Sequence, residues 1–398
     1  MTTTISKFFR PVDADGMVAR VLLSFLATAG LFYVNIMPAL IDGLKEGIGF
    51  TNKEAGMIGS FNMYGGACGA LLIAFLIRRI TWKPVARWML LGLILMDLLS
   101  MPVRDPVLLM LVRFVHGCIG GALVGVGFAV FARTKAPDRT FGVLLLVQAG
   151  AGGLGVMFLP YLVGAFGTPV LFITLIGFSL ITWLMLFFLP PYEAVSSISS
   201  SVTTAPLMLK PLLFALFSVF LFQAANMGLY AFIIGLGKDA GLDIAFVSDT
   251  LGVANWFGML GALLVVVLST RFGIFKPILG GMLIAIIGSW ALMHSDVKWI
   301  WISANFITGI TWNFCIAYLL GMCARFDQTG QTAVWGGFAS KMGLASGPMI
   351  GSFLLVQNNY ALLIWMAVIL LIMATIASAI PAWRLDRAAG SDGAGPNL

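Results

Sequence analysis

Hydrophobic residues in this chain neither alternate nor keep to one face of an amphipathic helix; they form long unbroken runs. Twelve of these are long enough, at ~1.5 Å of rise per residue, to cross an apolar layer ~30 Å thick. They fall at 17–40, 54–77, 86–103, 107–132, 140–165, 168–190, 209–235, 246–270, 276–294, 299–324, 331–356 and 360–382. The runs predict helices, because hydrocarbon offers no partner to an open backbone N–H or C=O. Barrel strands would show short alternating segments, and these runs do not alternate. The connection after the sixth run, PYEAVSSISSSVTTAPLM, is rich in Ser and Thr and carries one charge, Glu193. It predicts a flexible linker. The expected organisation is an N-terminal six-helix bundle over 1–190, a cytoplasmic linker over 191–208, a C-terminal bundle over 209–385, and a disordered Gly- and Ala-rich tail over 386–398.

Composition removes the other classes. Apolar residues make up 60% of the 398 positions and charged residues 10%, against about 25% charged in an average soluble protein. So few charges cannot cover a water-soluble globule or keep a disordered chain solvated. Cys68, Cys118, Cys315 and Cys323 all sit in apolar stretches and are expected as small core residues, not as a disulfide framework. What remains is an all-α polytopic membrane protein. Its N-terminal residues are polar and its first apolar run is too long for a signal peptide, so that run is expected to be retained.

The formal charge of +7 has a topological distribution. With the N-terminus inside, sixteen Lys and Arg fall in inner segments and five in outer loops. This predicts cytoplasmic termini and a multi-pass protein of a bacterial-type inner membrane, with no nucleic-acid partner. The two remaining cations, Arg113 and Lys341, lie inside predicted spans.

The halves repeat at an offset of 192 residues, which pairs Gly66, Gly69, Ala70, Leu71 and Leu72 with Gly258, Gly261, Ala262, Leu263 and Leu264. The same offset pairs Ile41, Gly43 and Leu44 with Ile233, Gly235 and Leu236, and Phe114, Gly117 and Arg133 with Phe306, Gly309 and Arg325. With these features the chain resembles the major facilitator superfamily over about residues 15–385. GALLIAFLIRRITWKP stands where that superfamily carries its signature loop between helices two and three. Arg79 and Lys83 match its basic positions, while Arg78 replaces its Asp and Thr81 its Gly. Arg271 and Gly273 match in the second copy. In LVRFVHGCIGG, Arg113 and Gly117 match an Arg-x-x-Gln-Gly pattern in which His116 replaces the Gln. The Gly-Pro motif of antiporters is missing from the fifth span. The resemblance implies two pseudo-symmetric six-helix bundles in rocker-switch alternating access. It also implies gating roles for Arg79, Lys83 and Arg271.

Ionisable groups inside a membrane are costly, so each calls for an account. Arg113 lies about six residues into its span, and Gly117, Gly121 and Gly125 continue its row as either a close-packed face or an open wall. It either binds an anionic group or pairs with Asp97, which has a similar depth. Asp97 is the one acid well inside a span, and with His116 it is the candidate for proton coupling; each also has a structural reading, as an ion-pair partner or a hydrogen-bonded core histidine. Lys341 is near mid-span, with Gly343, Gly347 and Gly351 about 200° around the helix from it. If those glycines pack on a neighbour, Lys341 points toward a cavity, where it binds substrate or is satisfied by carbonyls. Neutral polar and aromatic groups complete the candidate site: Tyr33, Asn35, Gln148, Gln223, Asn226, Tyr230, Trp256, Asn305, Trp312 and Trp335, flanked by Asn62, Tyr64, Asn255 and Asn313. Each alone also suits interhelical contact.

No two of the 21 methionines stand three or four residues apart, so no metal site is expected. No phosphate loop, zinc spacing or nucleophile elbow is present, so neither enzymatic chemistry nor a cofactor is expected. Since the deep cations outnumber the deep acid, the expected function is secondary transport of a small organic anion of carboxylate type, coupled to protons. The alternative is a proton-coupled multidrug or metabolite exporter. One chain holds a complete site, so a monomer suffices.

Overall fold

The computed structural model describes residues 11–77, 79–192, 209–269, 271–326, 331–355 and 358–392, with side chains as far as Arg387. It is helical, and its contacts cluster into two compact units, Met1–Ile198 and Ser199–Leu398. The predicted linker falls almost wholly outside the described residues, as does Arg78.

In the first unit the helices are α1 (Met17–Asn35), α2 (Met37–Ile48), α3 (Asn52–Leu76), α4 (Trp82–Ser100), α5 (Pro106–Phe131), α6 (Pro137–Phe166) and α7 (Pro169–Met185). In the second they are α8 (Leu209–Ala231), α9 (Ile233–Asp239), α10 (Ile244–Phe257), α11 (Met259–Leu268), α12 (Phe275–Ala291), α13 (Lys298–Ala324), α14 (Gln331–Leu354) and α15 (Tyr360–Asp392). A 3₁₀ turn, Leu292–His294, follows α12. Every predicted span falls on a helix or on two helices in succession. Among the described residues, nine helical stretches are long and apolar enough to cross a membrane, counting α10 and α11 as one.

Three predicted spans are interrupted. The first breaks at Ile36, because Pro38 lacks an N–H and fixes its own backbone. The seventh breaks at Phe232 and the eighth at Gly258. The helix starts are set by local chemistry. Thr51 and Glu54 form a capping box on α3, with Thr51 N donating to Glu54 Oε2 at 2.9 Å and Glu54 N donating to Thr51 Oγ1 at 3.2 Å. Asp105 accepts from Leu108 N at 2.7 Å ahead of Pro106, and Asp243 accepts from Ala245 N at 2.8 Å.

The repeat seen in the sequence is a repeat of structure. Helices start at Asn52 and Ile244, and at Pro106 and Lys298, each pair 192 residues apart. In the first unit α3 and α5 touch backbone to backbone. A Cβ built on Gly69 would stand 1.9 Å from Cys118 O, and one on Gly117 1.8 Å from Asn62 O. In the second, a Cβ on Gly261 would stand 2.0 Å from Ile310 O, the same contact 192 residues on. The row from Gly117 to Gly125 is thus a packed face, with Gly125 against Ile73.

Opposite ends of each unit are tied together. Lys83 Nζ donates to Leu189 O, and Tyr192 OH to Ala14 O at 2.7 Å. Lys135 pairs with Asp15 at 2.9 Å, and this contact holds the Asp15 carboxyl below its usual range. In the second unit Asp386 accepts from Ile274 N and Phe275 N at 2.8 and 2.9 Å, capping α12 from α15. A Cβ on Gly273, whose φ is +73°, would stand 2.4 Å from that carboxylate, so a side chain there would be blocked twice over. Helix α15 runs to Asp392, past residue 386 where the tail is expected to begin, because Asp386 anchors it and Arg387, Ala388 and Ala389 favour helix; residues 393–398 lie outside the described residues. Asp386→Ala is expected to lower stability by about 1 kcal/mol, a typical cap loss, read as a fall in melting temperature in detergent.

Candidate functional site

Two polar clusters lie inside the helices, one in each unit. The first joins α3, α4 and α5. Arg113 is fully buried. Its Nη1 donates to Asp97 Oδ1 at 2.8 Å, and its Nη2 to Ser100 Oγ at 2.6 Å and Met96 O at 3.0 Å. Its guanidinium also lies 5.3 Å from the Phe172 ring and 5.7 Å from that of Tyr33. His116 Nε2 lies 3.4 Å from Asp97 Oδ1.

The histidine's proton can be placed by its neighbours. Asn62 Nδ2 lies 3.0 Å from Arg113 O and 2.8 Å from His116 Nδ1. A carbonyl only accepts, so the amide group facing both atoms is the NH2. His116 Nδ1 is therefore an acceptor, and the ring is neutral with its proton on Nε2 toward Asp97. Arg113 and Asp97 cancel each other's charge, leaving the cluster neutral. Asp97 Oδ2 and Arg113 Nε are buried and make no hydrogen bond among the described residues.

The second cluster surrounds a cavity of about 580 Å³, counting its open mouth. Asn226, Tyr230, Asn255, Asn305, Trp312 and Asn313 give it its chemistry, with Leu229, Ile233, Leu251 and Leu292 as apolar wall. Two of the four predicted spans around it are interrupted: Phe232 separates α8 from α9, and Gly258 separates α10 from α11. Among the described residues, no charged side chain lines it. Tyr230 OH accepts from Asn255 Nδ2 at 3.2 Å, and the Tyr230 and Trp312 rings meet edge to face at 5.7 Å. Asn226 and Asn305 each donate one amide hydrogen to their own helix, at Phe222 O and Trp301 O, both 2.8 Å. Their carbonyl oxygens are left for other partners.

Beside the cavity, Gln223 is held at both ends of its amide. It receives from Trp312 Nε1 at 2.7 Å and donates to Ser340 Oγ at 2.7 Å. Lys341 follows Ser340 on α14. Among the described residues its ammonium makes no hydrogen bond or ion pair, and the residue is half-buried. Gly343 and Gly347 face away from it and pack on α8, where their Cβ atoms would meet Phe220 O at 2.3 Å and Ala224 O at 2.4 Å.

Of the twelve predicted binding residues, four line the cavity: Asn226, Tyr230, Asn305 and Trp312. The others are elsewhere. Arg113 is spent on Asp97. Tyr33 is buried against His116, with ring centres 5.9 Å apart. Asn35 ends α1, and Gln148 is half-buried on α6. Trp335 is half exposed, with its edge toward Phe338. Trp256 is not among the residues that line the cavity, and its buried indole N–H is without a partner among the described residues. Thr308 and Gly258, neither of them expected from the sequence as a binding residue, do line it; their signal was their place 192 residues beyond His116 and Gly66. Of the predicted gating residues, Lys83 makes the bond to Leu189 described above, while Arg79 and Arg271 are exposed at helix ends.

Two helical units with polar clusters inside, large apolar side chains outside and helices long enough to cross a bilayer are those of a multi-pass membrane protein. The Major Facilitator Superfamily model matches residues 21–340, and the chain belongs to that superfamily. Among solved structures it is similar to a point mutant of the nucleoside transporter NupG. The TM-score is 0.69 at 14% identity, over 93% of this chain and 98% of that one. No curated protein matches it.

Proposed function

We propose that this protein is a secondary active transporter of a small, uncharged, ring-bearing polar solute, a nucleoside or a sugar in chemical type. The observation that carries this reading is the lining of the cavity. Amides and hydroxyls supply donors and acceptors, Tyr230 and Trp312 cover an apolar face, and among the described residues that line it none carries a charge to compensate a charged ligand. A nucleoside, the solute in the name of the structurally similar transporter, is of this type. The work is transport, by rocking of the two units in a bacterial-type inner membrane, and not chemical conversion.

A second reading, the organic anion, has Lys341 in its favour. Its other expected cation, Arg113, is neutralised. Proton coupling has one foothold, the unpartnered Asp97 Oδ2. Uptake of labelled uridine, glucose and benzoate into proteoliposomes separates the readings. Trp312→Ala is expected to lower uptake of the uncharged solute at least ~10-fold, a loss of ~1.4 kcal/mol of binding. Lys341→Gln is expected to leave it within ~3-fold, less than 1 kcal/mol. Uptake of benzoate alone, lost in Lys341→Gln, would replace the first reading with the second.

A further inference from the structure

The hydrogen-bonding groups around the cavity of the second unit are not evenly divided between donors and acceptors. Asn226, Asn305 and Asn313 each stand four residues after the carbonyl that their amide bonds. Asn226 Nδ2 donates to Phe222 O at 2.8 Å, Asn305 Nδ2 to Trp301 O at 2.8 Å, and Asn313 Nδ2 to Gly309 O at 3.1 Å. A backbone carbonyl only accepts, so the NH2 end of each amide is turned to its own helix and the oxygen end away from it. Two further donors are withdrawn in the same way. Thr308 Oγ1 donates to Asn305 O at 3.1 Å, and Trp312 Nε1 to Gln223 Oε1 at 2.7 Å.

What the three amides leave over is oxygen. Their Oδ1 atoms accept no hydrogen bond among the described residues. Asn226 and Asn305 are only 8% and 5% exposed, yet their oxygens are not sealed in: they open on the cavity that both side chains line. Each NH2 keeps one hydrogen, so with Thr308 Oγ1 included three hydrogens stand against about eight lone pairs. A solute that brought mainly acceptors would leave most of those lone pairs stripped of water and unpaired, which is costly. A solute that brings donors satisfies them.

We propose that this cavity recognises its solute by hydrogen-bond donors. The solute class is a ring carrying several free hydroxyls, with Asn226, Asn305 and Asn313 accepting from them as specificity-determining residues and Trp312 covering the apolar ring face. In a nucleoside, the ribose hydroxyls and not the carbonyls of the base are the groups held. This rests on the reading of the cavity as a site for an uncharged solute, and adds which half of each hydrogen bond the protein supplies.

Thermal shifts of the purified full chain in detergent, titrated with matched pairs, test it. The pairs are glucose against its pentamethyl ether and uridine against its trimethyl ether, with benzoate as the charged control. Methylation keeps every oxygen and removes every O–H of the sugar. The hydroxyl member of at least one pair is expected to bind at least ~10-fold more tightly than its ether. Asn226→Leu and Asn305→Leu are expected to shrink that ratio to ~3-fold or less, whereas a residue that only holds the fold would weaken both members alike. A ratio unchanged in both variants means that the methyl groups are excluded by bulk, and overturns the proposal. Should both variants fail to fold, monodeoxyfluoro analogues decide, since fluorine replaces a hydroxyl without adding bulk or a donor; at least one must bind ~10-fold less tightly than its parent. An ether that binds within ~3-fold of its parent overturns the proposal and leaves the uncharged-solute reading in place. A shift with benzoate alone, or with no solute of either pair, overturns both.

Discussion

Arg113→Leu is expected to destabilise the protein by about 3–5 kcal/mol, the cost of leaving a buried charge without its partner. The guanidinium is fully buried and bonded to Asp97, Ser100 and the Met96 carbonyl. Removing it strands the Asp97 carboxylate, which has only the neutral His116 nearby. Asp97→Leu should be comparably harmful, since it strands Arg113. The double variant Asp97→Leu/Arg113→Met should recover most of the loss, because apolar replacement of a whole buried pair is often neutral. Melting temperatures in one detergent measure all three. If each single variant stays within about 1 kcal/mol of the parent, the charges are reached by water and the cluster is not sealed.

The second large effect is expected at a glycine. Gly117→Ala puts a Cβ 1.8 Å from Asn62 O, and backbone cannot yield as a flexible side chain can. The two helices must part, loosening the contacts at Gly65, Gly69 and Gly121 as well. We expect a loss of about 3 kcal/mol or more, at the upper end of overpacking. Gly309→Ala, the same change 192 residues on, meets Ala254 O at 3.2 Å and should cost less than about 1 kcal/mol. Equal effects would show that the two helix pairs are equally tight at this position.

Much of this fold was legible in the sequence. Hydrophobic runs gave the helices, since length and apolarity are what a bilayer demands. The offset of 192 carried through to helix starts and even to the Gly69 and Gly261 contacts. The pairing of Arg113 with Asp97 was one of two open readings, because similar depth on neighbouring helices allows a contact without requiring it. The breaks at Phe232 and Gly258 were not legible. Neither segment has a proline at the break, and both breaks depend on packing across helices. Nor could spacing distinguish Trp312, which lines a cavity, from Trp335, which is half exposed; both are indoles in apolar runs.

The central claim is that an uncharged cavity in the second unit takes an uncharged solute. Calorimetric titration of the purified protein with matched pairs, uridine against uridine monophosphate and glucose against glucose phosphate, tests it most directly. The account predicts binding of a neutral member, weakened at least ~10-fold by Trp312→Ala, with no binding of its phosphate. Preferential binding of the phosphate or of a carboxylate, abolished by Lys341→Gln, would contradict it.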